Sequence, residues 1–145
     1  MAKYAQGRYV VQNPEKYMGQ HEPIFRSSWE HTFMRFADNN PAIIQWASEP
    51  FTIPYRNPFT GRNTVYVPDF MIVYLDRNGQ KHAEIVEIKP SKETRLDLAR
   101  STRDRAAVAL NTAKWAAANA WCRARGLTFR VIGEDQIYQN VRRSR

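Results

Sequence analysis

The chain has 145 residues, 43% hydrophobic and 12% aromatic, and carries a formal net charge of +8. That length allows one domain with its own core, and the composition excludes a disordered or collagen-like chain. A single cysteine, Cys122, excludes an internal disulfide and any multi-cysteine zinc site, and no apolar run approaches the roughly 18 residues of a membrane-spanning helix.

The basic excess favours a polyanionic partner, nucleic acid first and an anionic membrane second. The plain alternative is a chain kept soluble by its charge. The N-terminus "MAKYAQGRYVVQNPEKYMG" lacks the uninterrupted apolar stretch of a signal peptide, so a soluble intracellular protein is expected. We expect one domain over residues 1–145, with an irregular arm at 1–25 and a basic tail at 134–145.

In chain order, the arm shows no clear period. "RSSWEHTFMRFADNN" then predicts a helix, with Ser27 or Ser28 as N-cap and Trp29, Phe33 and Phe36 at helical spacing. Asn39-Asn40-Pro41 ends it. "IIQWASEPFTIPYRN" and "NTVYVPDFMIVYLD" are rich in β-branched and aromatic residues and predict two strands, joined by a hairpin loop at "PFTGRN". "DRNGQ" supplies an Asn-Gly turn into a third strand, "HAEIVEIKP", which Pro90 stops. Residues 91–105 predict a charged connector, followed by an alanine-rich helix closing on Gly126 and a fourth strand, "LTFRVIG". The fold class is therefore α/β: a mixed four-stranded sheet flanked by helices, with the last strand returning beside the third after a crossover helix.

One strand raises a chemical question. Residues i and i+2 share a face of a strand, so Glu87 and Lys89 project together with Ile85, while Val86 and Ile88 point the other way. Burying charges beside apolar neighbours is costly without compensation. A mutual ion pair at a sheet edge is one compensation; a divalent-metal site beside a scissile phosphate is another. Asp69, behind Pro68, bears on the choice. A turn centred on Asn78-Gly79 places Asp69 opposite residue 88, one position from Glu87. Two carboxylates with a lysine suit Mg²⁺, which binds through one or two carboxylates plus substrate phosphate. Glu30 is a third candidate acid; its alternative role is a first-turn glutamate favoured by the helix dipole.

"PDF" followed by "EIK", with an upstream helical glutamate, resembles the PD-(D/E)XK nuclease superfamily. The resemblance sharpens over residues 26–132. There "RSSWEHTFMRFADNNPAIIQWASEPFTIPYRNPFTGRNTVYVPDF", "EIKPSKET" and "NTAKWAAANAWCRARGLTFRVI" are similar to the head completion nucleases of tailed phages. The endonuclease subunit of certain transposases is a more distant likeness. This resemblance implies a restriction-endonuclease-like three-layer core and a Mg²⁺-dependent DNA endonuclease, with Mn²⁺ able to substitute. It implies action during head completion after DNA packaging, near the portal vertex. By motif position, Asp69, Glu87 and Glu30 inherit metal-binding roles and Lys89 the lysine role. Lys114, on the helix after the catalytic strand, is a further catalytic candidate; a solvated lysine lying along Trp115 is the alternative.

The implied partners are DNA and portal or neck proteins of the virion, with no membrane, and both monomer and homodimer remain open. The implied location is the host cytoplasm during assembly, or the virion itself, without secretion. A structural head or neck protein that docks at the portal with a nuclease fold is the alternative function. Arg95, Arg100, Arg103 and Arg105 in the connector, with Arg142, Arg143 and Arg145 in the tail, form a candidate phosphate-contacting set. Glu49 is read as an exposed strand-end residue, with support of the site as its other role.

Overall fold

The computed structural model describes residues 6–134. Its elements run β1 (Gly7–Arg8), β2 (Ile24–Phe25), α1 (Ser28–Asn39), β3 (Ile43–Ser48), β4 (Ile53–Arg56), β5 (Asn63–Tyr66), β6 (Phe70–Leu75), β7 (Lys81–Ile88), α2 (Thr102–Arg123) and β8 (Thr128–Ile132). The tail arginines Arg142, Arg143 and Arg145 lie outside the described residues.

The central sheet has the order β3-β6-β7-β8, antiparallel except for the β7–β8 pair, which is parallel. That is the mixed four-stranded sheet expected, and α2 is the crossover that a parallel return requires. Helix α1 begins where expected because the Ser27 hydroxyl accepts the Glu30 N–H at 3.1 Å. Its buried face, Phe33, Met34 and Ala37, joins Trp46, Phe70, Ile72, Val86, Ile88 and Ile132 in one cluster. Phe33 stacks on Phe70 at 4.8 Å between ring centroids, fixing α1 to the strand that leads out of Asp69. Truncating Phe33 to alanine would cost about 3–5 kcal/mol. On the opposite face, Ala118 of α2 packs with Ile53 and Tyr66, flanked by Trp115, Trp121 and Phe129. Helix, sheet and helix make the three layers of a restriction-endonuclease-like core.

Three expectations need correction. The two long strands of the sequence reading are each broken. Glu49 takes φ of 47° ahead of Pro50, separating β3 from β4, and Pro68 separates β5 from β6. The freed β4–β5 hairpin is a two-stranded sheet of its own, leaning on α2. The 91–105 connector holds two 3-10 turns, Ser91–Glu93 and Leu96–Leu98, and its last residues are already helix, because Ser101 caps α2 by accepting the Asp104 N–H at 3.0 Å. The arm is not wholly irregular. β1 pairs with β2, and the arm is pinned to α1 through Asp38, which is fully buried. Asp38 accepts the Tyr9 hydroxyl at 2.7 Å and the N–H groups of Gln12 and Asn13 at 2.7 and 3.1 Å.

Candidate active site

The β6–β7 hairpin sets the site. Its loop, residues 76–80, is held by the Asp76 carboxylate, which accepts the N–H groups of Asn78 and Gln80 at 2.8 and 2.9 Å, and by Gly79 at φ 78°. Five loop residues rather than four shift the pairing by one: Phe70 opposes Val86 and Leu75 opposes Lys81. Continued by one step, this register brings Asp69 opposite Glu87 itself, not residue 88.

The pair is interlocked. The Asp69 N–H donates to Glu87 Oε1 at 3.3 Å, and Asp69 Oδ2 accepts the Ile88 N–H at 2.7 Å. Glu87 is buried, 4% exposed, and Asp69 half-buried. Burial raises the Asp69 pKa well above the usual carboxylate range, and the Glu87 charge raises it further; the Ile88 N–H and Lys89 pull it down. Glu87 is also raised, by burial first, against lowering by Lys89, Lys114 and the Asp69 N–H. Lys89 is held from behind by β8, its N–H donating to the Ile132 carbonyl at 3.1 Å.

Lys114 comes from α2 into the same field. Its Nζ lies 5.3 Å from the Tyr66 ring centroid and 5.9 Å from that of Tyr55, in a cation–π cradle built by the β4–β5 hairpin. Burial lowers its pKa, and Lys89 adds to that, against the pull of Glu87 and Asp69. The Tyr66 hydroxyl is buried beside the acids without a hydrogen-bond partner. Burial, and then the negative charge of Glu87, push its pKa up.

Glu30 stands apart. Its carboxylate accepts the Arg26 N–H at 3.2 Å and sits 3.4 Å from the Ser27 hydroxyl, at the start of α1. Among the described residues no three His, Cys, Asp or Glu side chains are gathered closely enough to hold an ion by themselves, so Glu30 does not join Asp69 and Glu87 in one cluster. It does face them across space: its charge raises both of their pKa values. Between Glu30 and Lys89 opens a cleft of about 390 Å³, lined also by Ser27, Ser28, Trp29, Ile88 and Pro90.

One contributor, Arg26, escaped the sequence reading, and it acts through Glu49. The Arg26 guanidinium pairs with the Glu49 carboxylate, and the Glu49 N–H donates to the Asp69 carbonyl at 2.8 Å. Glu49 is thus half-buried support for Asp69, the lesser of its two expected roles. Arg26 had no periodic signal, and the left-handed backbone at Glu49 is invisible in a sequence that lacks glycine there. Of the connector arginines, Arg95 is tied to Asp97 through two hydrogen bonds, at 3.2 and 2.7 Å. Arg100, Arg103 and Arg105 are exposed, and no described residue pairs with their guanidinium groups.

The donor set fits a divalent cation. Burial raises the pKa of both carboxylates, and the Glu87 charge raises that of Asp69 further, so a positive charge between them would be favoured. A hard ion taking one or two carboxylates and completing its shell from water and phosphate would supply it.

Comparison with known proteins agrees with this geometry. Residues 40–134, which include Asp69, Glu87, Lys89 and Lys114 but not Glu30, match the family described as TnsA-like endonuclease N terminal. The chain is 36% identical over 143 residues to the head completion nuclease of Enterobacteria phage T4, an alignment covering 90% of this chain and 92% of that protein.

Proposed function

The chain belongs to the TnsA-like endonuclease family, and we propose that it cuts DNA at the Asp69–Glu87–Lys89 site with a divalent metal, Mg²⁺ or in its place Mn²⁺. Nuclease activity comes with the family. The single observation that supports this location is the opposed, interlocked pair Asp69 and Glu87, both raised by burial, beside two lysines. Following the phage relative, the reading extends to head completion after packaging, in the host cytoplasm or on the virion, with portal or neck proteins as docking partners.

Asp69 and Glu87 would hold the ion. When bound, it supplies Lewis-acid stabilisation of the scissile phosphate and lowers the pKa of the attacking water. The chain's own residues do the rest. Reciprocal hydrogen bonds with the backbone fix both carboxylates on rigid strands, so they need no reorganisation as charge develops. Lys89, at the mouth of the cleft, places a cation against the extra negative charge of the transition state. Lys114 adds a second from the α2 side and favours the ionised form of Glu87. Glu30 supports the site from across the cleft rather than as a direct ligand, orienting water or a solvated ion. Arg100, Arg103 and Arg105 lie on or beside the first turn of α2 and are suited to phosphate contact, whereas Arg95 is already partnered by Asp97.

Cleavage of supercoiled plasmid and of branched DNA with Mg²⁺ or Mn²⁺, by wild type, Asp69→Ala and Lys89→Ala, tests this. Each variant is expected to lose at least about 100-fold in rate. Absence of metal-dependent cleavage by the wild type on every DNA form would leave a docking protein with a nuclease fold. Equal cleavage by all three proteins would place the chemistry elsewhere.

A further inference from the structure

The β4–β5 ribbon is not needed to build the central sheet, yet it projects directly from the site. Its inner face, Ile53, Tyr55 and Tyr66, rests on α2 and cradles Lys114. Its outer face alternates to the other side: Pro54 opposes Val65 and Arg56 opposes Asn63, all four exposed. Val65 is 54% exposed, and Phe59 at the tip is 62% exposed.

The tip holds its shape without that phenyl ring. Asn57 Oδ1 accepts the N–H groups of Phe59 and Thr60 at 2.8 and 3.2 Å. The Asn57 N–H donates to the Arg62 carbonyl at 2.9 Å, and Gly61, at φ 70°, donates its N–H to the Asn57 carbonyl at 2.8 Å. The loop therefore presents an aromatic ring to solvent, where it is free to meet a partner. Charge says which partner. Residues 50–68 contain no aspartate or glutamate, and two arginines. A Cβ on Gly61 would lie 3.7 Å from the Arg56 guanidinium, so this cation reaches the tip beside Arg62. Among the described residues neither arginine is paired with a carboxylate.

We propose that this ribbon is a DNA-holding arm of the nuclease, with Arg56 and Arg62 on backbone phosphates and Phe59 stacked on an unpaired base. The inference rests on the nuclease reading and deepens it, because it assigns a substrate form: DNA carrying unpaired bases near the cut. From Tyr66 to Asn63 the strand advances about 10 Å. That strand alone spans about three nucleotides at about 3.4 Å per step, so the tip meets the DNA several nucleotides from the phosphate at Asp69.

Fluorescence anisotropy in EDTA, with a labelled duplex of about 30 base pairs and the same duplex bearing a single-stranded flap, tests the arm. Phe59→Ala is expected to weaken flap binding by about 5- to 100-fold while leaving the blunt duplex within about 3-fold. Arg56→Gln with Arg62→Gln is expected to reduce the slope of log affinity against log salt by about two on both probes. Circular dichroism melts should match wild type, since all three side chains are exposed. Wild-type affinity of Phe59→Ala for the flap, or an unchanged salt slope in the double variant, overturns the proposal. Wild-type DNA binding in variants that fail to bind virion proteins would also overturn it, making the ribbon a protein-docking arm. Failure of the nuclease reading looks different: wild type that binds DNA through the arm but never cleaves it with metal.

Discussion

Replacing Asp69 by asparagine should make this protein more stable while abolishing its cleavage. The substitution removes one of two opposed charges and keeps an oxygen to accept the Ile88 N–H, which Asp69 Oδ2 now does at 2.7 Å. Directly opposed residues in an antiparallel pair have Cβ atoms about 5 Å apart. Two unit charges at about that separation repel by about 3 kcal/mol at an effective dielectric of about 20. Lys89 and Lys114 offset part of this, leaving a gain of about 1–2 kcal/mol, or about 3–8 °C in Tm for a domain of this size. The assay is a thermal melt of wild type and Asp69→Asn in EDTA at a pH of about 8.

The dependence on pH has a definite sign. Burial raises both folded-state pKa values, and the Glu87 charge raises that of Asp69 further, so the folded protein binds protons where the unfolded chain, titrating near 4, is still ionised. The penalty is complete above the folded pKa values and fades as the pH falls toward about 4. The Tm gap between the variant and wild type should therefore narrow on acidification. A variant that melts at or below wild type at a pH of about 8, or a gap that widens toward acid, would refute the reasoning.

A divalent ion should reverse that order. Mg²⁺ at about 10 mM is expected to raise the wild-type Tm, by about 2.7 kcal/mol of linkage if that is 100 times Kd, and to leave Asp69→Asn nearly unmoved. Equal shifts in both proteins would separate the acid pair from metal binding. Asp38 predicts the opposite behaviour to Asp69. Burial alone would raise its pKa, but the hydrogen bonds from Tyr9, Gln12 and Asn13 outweigh it and hold the carboxyl below its ordinary value. Its contribution is therefore lost as the pH falls through that depressed pKa. Asp38→Ala leaves these donors unpaired and should cost about 3–5 kcal/mol, read as a lower Tm and faster proteolysis of the arm. A Tm within about 2 °C of wild type would remove Asp38 from that role.

Sequence reasoning reached as far as local signals extend. Ser27, the spacing of Phe33 and Phe36, and the Asn-Gly turn defined α1 and the β6–β7 hairpin, and period two placed Glu87 and Lys89 on one face. It missed the register by one residue because the five-residue loop depends on how the Asp76 side chain staples it, not on the Asn-Gly pair alone. The breaks at Glu49 and Pro68 were harder still. Prolines were visible there, but the detachment of β4–β5 from the main sheet follows from Ile53, Tyr55 and Tyr66 finding α2. For the same reason the cradle around Lys114 and the Arg26–Glu49 link to Asp69 had no local signature: each joins segments distant in the chain.

Strand β7 shows why an expensive acid pair can persist in so small a fold. Its alternation sends Val86 and Ile88 into the cluster with Phe33, Phe70 and Ile132, each fully buried apolar side chain contributing about 1.5–3 kcal/mol. The same alternation sends Glu87 and Lys89 to the α2 side. The charged face is thus anchored by its own reverse face, and a one-residue slip would bury the charges among phenylalanines and turn the valine and isoleucine away from that cluster. Register is therefore guarded by the core, and the geometry of Asp69 against Glu87 inherits that rigidity. The site needs no loop of its own to hold the carboxylates together; it needs only the sheet to pair correctly.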